Sequence, residues 1–193
     1  MFKEMLQISS SGLPGNAMRR LLLVSILVSV VSSASAQAPS EHLAPLVPFV
    51  GKTWYGTFQN YPGGSTPTDV SKWEWVLNGQ AVQITHSVDE GEYGGMTIIM
   101  WNGAEETLVA HYFTTAGFMT RATIMVDGAT LISREEVSGH PSITAVEAES
   151  RILDDGRLHT RSRYLRDGEW IDGHEIIYRE SPDAVVRFRT ADP

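Results

Sequence analysis

His42, His86, His111, His140, His159 and His174 are the side chains of this sequence best suited to proton chemistry near neutral pH. None stands in a His-x-Glu-x-x-His or comparable spacing, so the sequence declares no zinc site. His86 shares an alternating apolar face with Val82, Ile84 and Val88, which makes it either a hydrogen-bonded core residue or the polar group of an internal site. His42, ahead of the first strand, and His140, in a turn before Pro141, read as solvent-facing; His159 reads as part of a wet strand face. His174 adjoins Glu175, and one residue of strand slip decides which of them points inward. Two acidic clusters stand out. Glu147-x-Glu149-x-Arg151 alternates along a strand and reads as a solvated face, whereas in Ser133-Arg134-Glu135-Glu136 the carboxyl of Glu135 falls on the face opposite Arg134 and Glu136. Either one of these two faces points inward and buries its charge, or the cluster forms a barrel-rim ion pair such as Arg121/Glu135. No Gly-x-Ser-x-Gly elbow occurs.

The chain that must position these groups has 193 residues, 42% of them hydrophobic and 20% charged, enough apolar content for one folded domain. With 15 Lys and Arg against 23 Asp and Glu the net charge is −8, which excludes a phosphate backbone as partner. The absence of cysteine excludes a disulfide framework, a thiolate metal site, a Cys nucleophile and a lipoprotein anchor.

Met18-Arg19-Arg20, the apolar run Leu21 to Val31 and the small-residue Ala34-x-Ala36 site form a secretory signal peptide over residues 1–36, with Met18 a candidate start. The apolar run is too short to span a bilayer, which takes roughly 20 residues. Cleavage would release an acidic protein into the periplasm or the exterior, with no membrane insertion thereafter.

Residues 37–51 read as a lead-in and 52–190 as an all-β domain. Short stretches rich in Val, Ile, Thr, Trp and Tyr alternate with turns at Asn78-Gly79, Gly94-Gly95, Asn102-Gly103, Asp127-Gly128, Asp155-Gly156 and Asp167-Gly168. Strands are expected near 52–58, 70–77, 80–89, 96–101, 107–114, 117–126, 130–137, 143–153, 158–166, 169–180 and 184–190. With no long crossover between them, the economical topology is a single antiparallel up-and-down β-barrel of about 8–10 strands.

Turn chemistry fixes registers. A two-residue Asn78-Gly79 loop pairs Trp75 with Val82, Trp73 with Ile84 and Ser71 with His86 on one face. A three-residue Asp154–Gly156 loop places Glu149 opposite Arg161 and Glu147 opposite Arg163 outside, with Ile152/Leu158, Ser150/Thr160, Ala148/Ser162 and Val146/Tyr164 inside. At Asp167-Gly168 a two-residue loop pairs Tyr164 with Ile171 and turns Glu175 inward; a three-residue loop turns His174, Ile176 and Tyr178 inward and sets Arg161 against Glu175. Ser, Ala and Thr make a wall that underfills its own interior, leaving a cavity unless Trp73, Trp75, Phe113 and Tyr164 close it.

The segment Leu43-Ala44-Pro45-Leu46-Val47-Pro48-Phe49-Val50-Gly51-Lys52-Thr53-Trp54-Tyr55-Gly56 resembles the opening of calycin-type barrels, the lipocalins and heme-binding nitrobindin-like proteins. With Trp73-x-Trp75-Val76-Leu77-x-Gly79-Gln80, Tyr112-Phe113-Thr114-Thr115-Ala116-Gly117-Phe118 and Tyr164-x-x-Asp167-Gly168-Glu169-Trp170, most of residues 43–180 is similar to secreted bacterial domains of unknown function with this lipocalin-like barrel. Gly51 and Trp54 are two residues apart where lipocalins have one. The resemblance implies that Arg187 or Arg189, on a last strand, covers Trp54 and closes the barrel bottom. It also implies that, were heme bound, His174, His86 or His111 would be its axial ligand; no cofactor is otherwise expected.

The leading functional reading is a secreted barrel holding a small, largely apolar molecule. Trp73, Trp75, Tyr112, Phe113, Tyr164 and Tyr178 would supply contact area, and His86 or His174 the orienting polar group. The alternatives are an interaction or assembly module with a packed lumen, and a barrel enzyme using an internal His, Glu and Tyr. Oligomeric state is left open.

Overall fold

The computed structural model describes residues 38–59, 61 and 64–189. The expected signal peptide lies outside the described residues.

Ten antiparallel strands follow one another around a closed barrel: β1 (Lys52–Phe58), β2 (Thr68–Val76), β3 (Ala81–Val88), β4 (Tyr93–Asn102), β5 (Thr107–Thr114), β6 (Met119–Asp127), β7 (Thr130–Ser138), β8 (Ile143–Ile152), β9 (Leu158–Arg166) and β10 (Glu169–Glu180). Each strand pairs with its sequence neighbours, and β1 pairs with β10, so no edge is left exposed.

The turns act as their residues demand. Asn78 (φ 54°, ψ 38°) and Gly79 (φ 78°) both take left-handed conformations, and the Gln80 N–H donates to the Leu77 carbonyl at 3.1 Å, a type I′ geometry. Ser71, Trp73 and Trp75 therefore oppose His86, Ile84 and Val82. At the Asp154–Gly156 loop Glu149 faces Arg161 and Glu147 faces Arg163, both pairs closing at 2.7 Å on the outer wall. These exposed pairs contribute less than about 1 kcal/mol each.

After Asp167-Gly168 the two sequence alternatives both occur, one after the other. Tyr164 pairs with Ile171 and Arg163 with Asp172, as a two-residue loop requires; a bulge between Asp172 and Glu175 then shifts the ladder, so that Arg161 meets Glu175 and Thr160 meets Ile176. The inserted residue turns His174 to the lumen and Glu175 to the outside, where it accepts from His159 at 2.9 Å. The Ser162 hydroxyl accepts the His174 N–H at 2.9 Å, replacing the interrupted ladder bond.

One end of the barrel is filled. The lead-in forms a 3-10 turn over Glu41–Leu46 whose Leu43 and Leu46 are fully buried, with Phe49 and Val50 beside them. Phe49 stacks on Trp73, Trp54 Nε1 donates to the Phe49 carbonyl at 3.2 Å, and Trp75 packs against this same cluster. Gly51 takes φ 79° to turn the lead-in into β1. The opposite end, formed by the turns after β1, β3, β5, β7 and β9, remains open.

Residues 184–189 do not form the expected eleventh strand. Their apolar–basic alternation mimics one, but β10 already pairs with β1, and no edge is available. The segment instead crosses the outer wall, held by Ser181 N–H to the Thr53 carbonyl at 2.7 Å and Arg187 N–H to Ser87 Oγ at 3.0 Å. Arg187 and Arg189 pair with Glu90 and Glu92, in and beside the β3–β4 turn at the open end. Neither covers Trp54; the cation over that ring is Lys52, 5.1 Å from its centroid.

Candidate functional site

The lumen encloses a cavity of about 710 Å³, within the range of small-molecule sites. Ala110, Ala122, Ala148, Ser150 and Ser162 lie on its wall, and their short side chains leave the volume unfilled. Ile84, Ile99, Ile124, Leu131 and Ile176 make much of the remainder apolar.

A polar chain runs across one side. The Tyr178 hydroxyl donates to Asp69 Oδ2 at 2.9 Å; Asp69 Oδ1 lies 2.8 Å from His86 Nδ1; His86 Nε2 lies 2.7 Å from the Tyr112 hydroxyl, which lies 2.8 Å from the Tyr93 hydroxyl. Five residues on five strands form one continuous network. Asp69 is the acceptor for both neighbours, so His86 Nδ1 carries a proton. With a neutral imidazole, Nε2 accepts from Tyr112 and Tyr112 accepts from Tyr93, leaving the Tyr93 oxygen as an acceptor toward the lumen.

Two glycines make the chain geometrically possible. Asp69 and Tyr178 do not share a ladder; Gly56 lies between them, paired with both. A Cβ on Gly56 would overlap the Tyr178 ring, so the missing side chain lets that ring lie across β1 to reach the carboxylate. Gly95 likewise separates His86 from β5, and a Cβ there would overlap both the Phe113 carbonyl oxygen and the Tyr112 ring. Burial pushes the phenols of Tyr93, Tyr112 and Tyr178 above their usual range, keeping all three protonated at neutral pH.

Elsewhere on the wall, Glu135 accepts from Thr120 Oγ1 at 2.8 Å and Ser133 Oγ at 3.0 Å, and burial raises its carboxyl. The rim pair with Arg121 does not form, because Arg121 is outside and binds Glu105 at 2.7 Å. His174 stands edge-on between Phe58 and Tyr164, at ring separations of 5.0 and 5.6 Å. Desolvation lowers its pKa, and its ring nitrogens have no hydrogen-bond partner among the described residues. Trp73 also lines the cavity, and its buried Nε1–H has no acceptor among the described residues.

The crystal structure of Rv2717c from M. tuberculosis is similar to this chain, with a TM-score of 0.56 and 12% identity over 75% of this chain and 99% of the other. The likeness is one of fold. No family model matches the sequence, and no curated protein does.

Of the residues singled out from sequence, Trp73, His86, Tyr112, Tyr164, His174 and Tyr178 lie on the cavity wall. Trp75 does not; it points inward, but at the filled end. Phe113 is half exposed on the outer face, in a cross-strand row with Met96 and Met119, because strand alternation sends it opposite to Tyr112. His111 is likewise outside. His140 is not simply solvent-facing: its Nδ1 accepts the Ile143 N–H at 2.9 Å, its ring meets Phe118 edge-on, and it lines the open mouth. Asp69 and Tyr93 were not legible as site residues. Glycines within strands, at 56 and 95, mark where a ring crosses; Gly94-Gly95 is not the expected turn but lies in β4, paired with Ser87 and His86. Among the described residues no cluster of His, Cys, Asp or Glu could hold a metal ion on its own.

Proposed function

We propose that this protein is an exported binding protein that holds a small, largely apolar molecule in its barrel lumen. The observation that carries the reading is the 710 Å³ cavity, predominantly apolar and open at one end. Five of its polar side chains are tied into one hydrogen-bonded chain, so the surface left for a ligand is mainly apolar. Tyr93, at the end of the hydrogen-bonded chain, is the group that would meet a ligand's polar atom. The packed-lumen alternative would require this volume to be filled with side chains. Mass spectrometry of what co-purifies with protein exported by its own leader tests the reading, followed by titration of the delipidated protein against fatty acids, retinoids and porphyrins with tryptophan fluorescence as readout. A specific small molecule or a saturable response supports it; an empty protein with no response overturns it.

A second reading, heme binding, is favoured by one observation: His174 presents to a largely apolar cavity an imidazole that has no hydrogen-bond partner among the described residues, its pKa lowered by burial. Such a nitrogen fits an axial ligand. Heme, when bound, supplies iron able to take a diatomic ligand or an electron. His174 would hold it, and Phe58 and Ile176 would limit access of water. His86 does not fit the role, since both its nitrogens are engaged.

A further inference from the structure

Asp69 and Glu135 both line the cavity, and they differ in how their charge is met. Asp69 accepts from the Tyr178 hydroxyl and from His86 Nδ1, so both its oxygens are engaged. Glu135 has two hydroxyl donors, Thr120 and Ser133, and no cation among the described residues. The arginines nearest in sequence or across the ladder are turned outward, Arg134 to Glu147 at 3.6 Å and Arg121 to Glu105 at 2.7 Å. A third acid, Asp89, sits at the mouth and accepts the Thr68 N–H; Arg166 is also at the mouth and exposed.

The surroundings of Glu135 are apolar or aromatic. Its cross-strand neighbours are Ala122 and Val146. Tyr93, Tyr112 and Tyr164 are close enough across the lumen to feel its charge electrostatically. A carboxylate accepts about four hydrogen bonds, and here two are supplied by protein. An unpaired buried charge is costly, and a cation brought to it is correspondingly favoured. Tyrosine faces also attract cations.

We propose that the lumen selects an amphiphilic amine, whose ammonium group pairs with Glu135 while its apolar body lies along the aliphatic wall. The inference rests on the lumen-binding reading above and names the ligand class for that site. Because burial holds Glu135 toward its protonated form, uptake of the cation draws the carboxyl into its ionised state and releases a proton.

The test compares three probes of equal chain length, decylamine, 1-decanol and decanoate, titrated into the full chain at pH 7 with tryptophan fluorescence as readout. Wild-type protein is expected to bind the amine at least about tenfold more tightly than the alcohol, the scale of one charge-assisted hydrogen bond. In Glu135→Gln that preference is expected to collapse to within about threefold while alcohol affinity is retained, which also reports that the variant is folded. Equal affinity for amine and alcohol in wild type, tightest binding of decanoate, or an undiminished preference in Glu135→Gln overturns the amine proposal and leaves lumen binding standing. Failure of all three probes overturns both. The wild-type comparison decides the matter even if the variant does not fold.

Discussion

Tyr112 meets His86 from two strands away, its hydroxyl 2.7 Å from Nε2, because the residue between them is Gly95. Tyr178 reaches Asp69 in the same way across Gly56. A barrel wall ordinarily lets side chains meet only their immediate cross-strand neighbours. Removing one Cβ in each place extends that reach to the next strand and joins what would be isolated pairs into one chain.

Gly56→Ala should therefore disturb the interior rather than the backbone. The new methyl would overlap the Tyr178 ring and Ile176, so the ring must move and its hydrogen bond to Asp69 lengthens. The expected cost is about 1–3 kcal/mol in urea denaturation. In a Tyr178→Ala background the same substitution should cost much less, because the space is then free; equal costs in both backgrounds would show that the glycine serves the backbone instead.

Tyr178→Phe removes a donor from a buried carboxylate and leaves the packing almost unchanged. Asp69 is 1% exposed, so water cannot readily replace the lost hydroxyl. The expected loss is roughly 1.5–3 kcal/mol, as for hydrogen bonds to charged groups. Tyr93→Phe, at the lumenal end of the chain, should cost less than about 1 kcal/mol, because the Tyr112 oxygen it serves lies beside a cavity large enough for water. A reversed order would place the stabilising weight at the wrong end of the network.

The parts of this arrangement differ in how far the sequence discloses them. Asn78-Gly79 and the Asp154–Gly156 loop leave one register each, and the observed ladders follow, since a slip would invert the burial of every residue along them. Asp167-Gly168 leaves two registers, and a bulge at Gly173 and His174 uses both. Local turn chemistry acts only beside the turn; the shift farther on depends on what the barrel interior accepts. Phe113 cannot share the lumen with Tyr112, a consequence of alternation available from sequence. The partnership of Asp69 with His86 is different in kind: it depends on a diagonal across the ladder, two residues along β2 from Ser71, which directly opposes His86, and on Gly56 admitting Tyr178. The strand-like pattern after Ala184 fails for a global reason, since the closed barrel offers it no partner.

Two side chains should give stability opposite dependences on pH, each separately assignable. Burial raises the Glu135 carboxyl, so the folded protein holds that proton more tightly than the unfolded chain; stability from this group is full below about pH 4.5 and is lost as pH rises through the elevated value. Desolvation lowers the His174 pKa, so the unfolded chain binds the proton more tightly; that stability is full above about pH 6.5 and is lost as pH falls toward the depressed value. Denaturation midpoints between pH 4 and 8 should show Glu135→Gln removing the fall that begins as pH rises above about 4.5, and His174→Phe removing the fall that begins as pH drops below about 6.5. If each variant merely shifts the whole curve vertically, neither group titrates differently on folding.

Hemin separates the histidines most sharply. Ligation through His86 would require giving up a bond to Asp69 or to Tyr112, leaving a buried carboxylate or phenol without its partner at roughly 1–3 kcal/mol. His111 is on the outer wall and cannot reach the lumen. His174 has no such bond to lose. Hemin added to the wild-type protein should give a sharp, saturable Soret band at one equivalent if the second reading holds. His174→Ala should abolish that band, whereas His86→Ala and His111→Ala should retain it. A band that survives His174→Ala, or a broad one that grows without saturation, would show that the partnerless imidazole is not an axial ligand and would leave the lumen to ligands without iron.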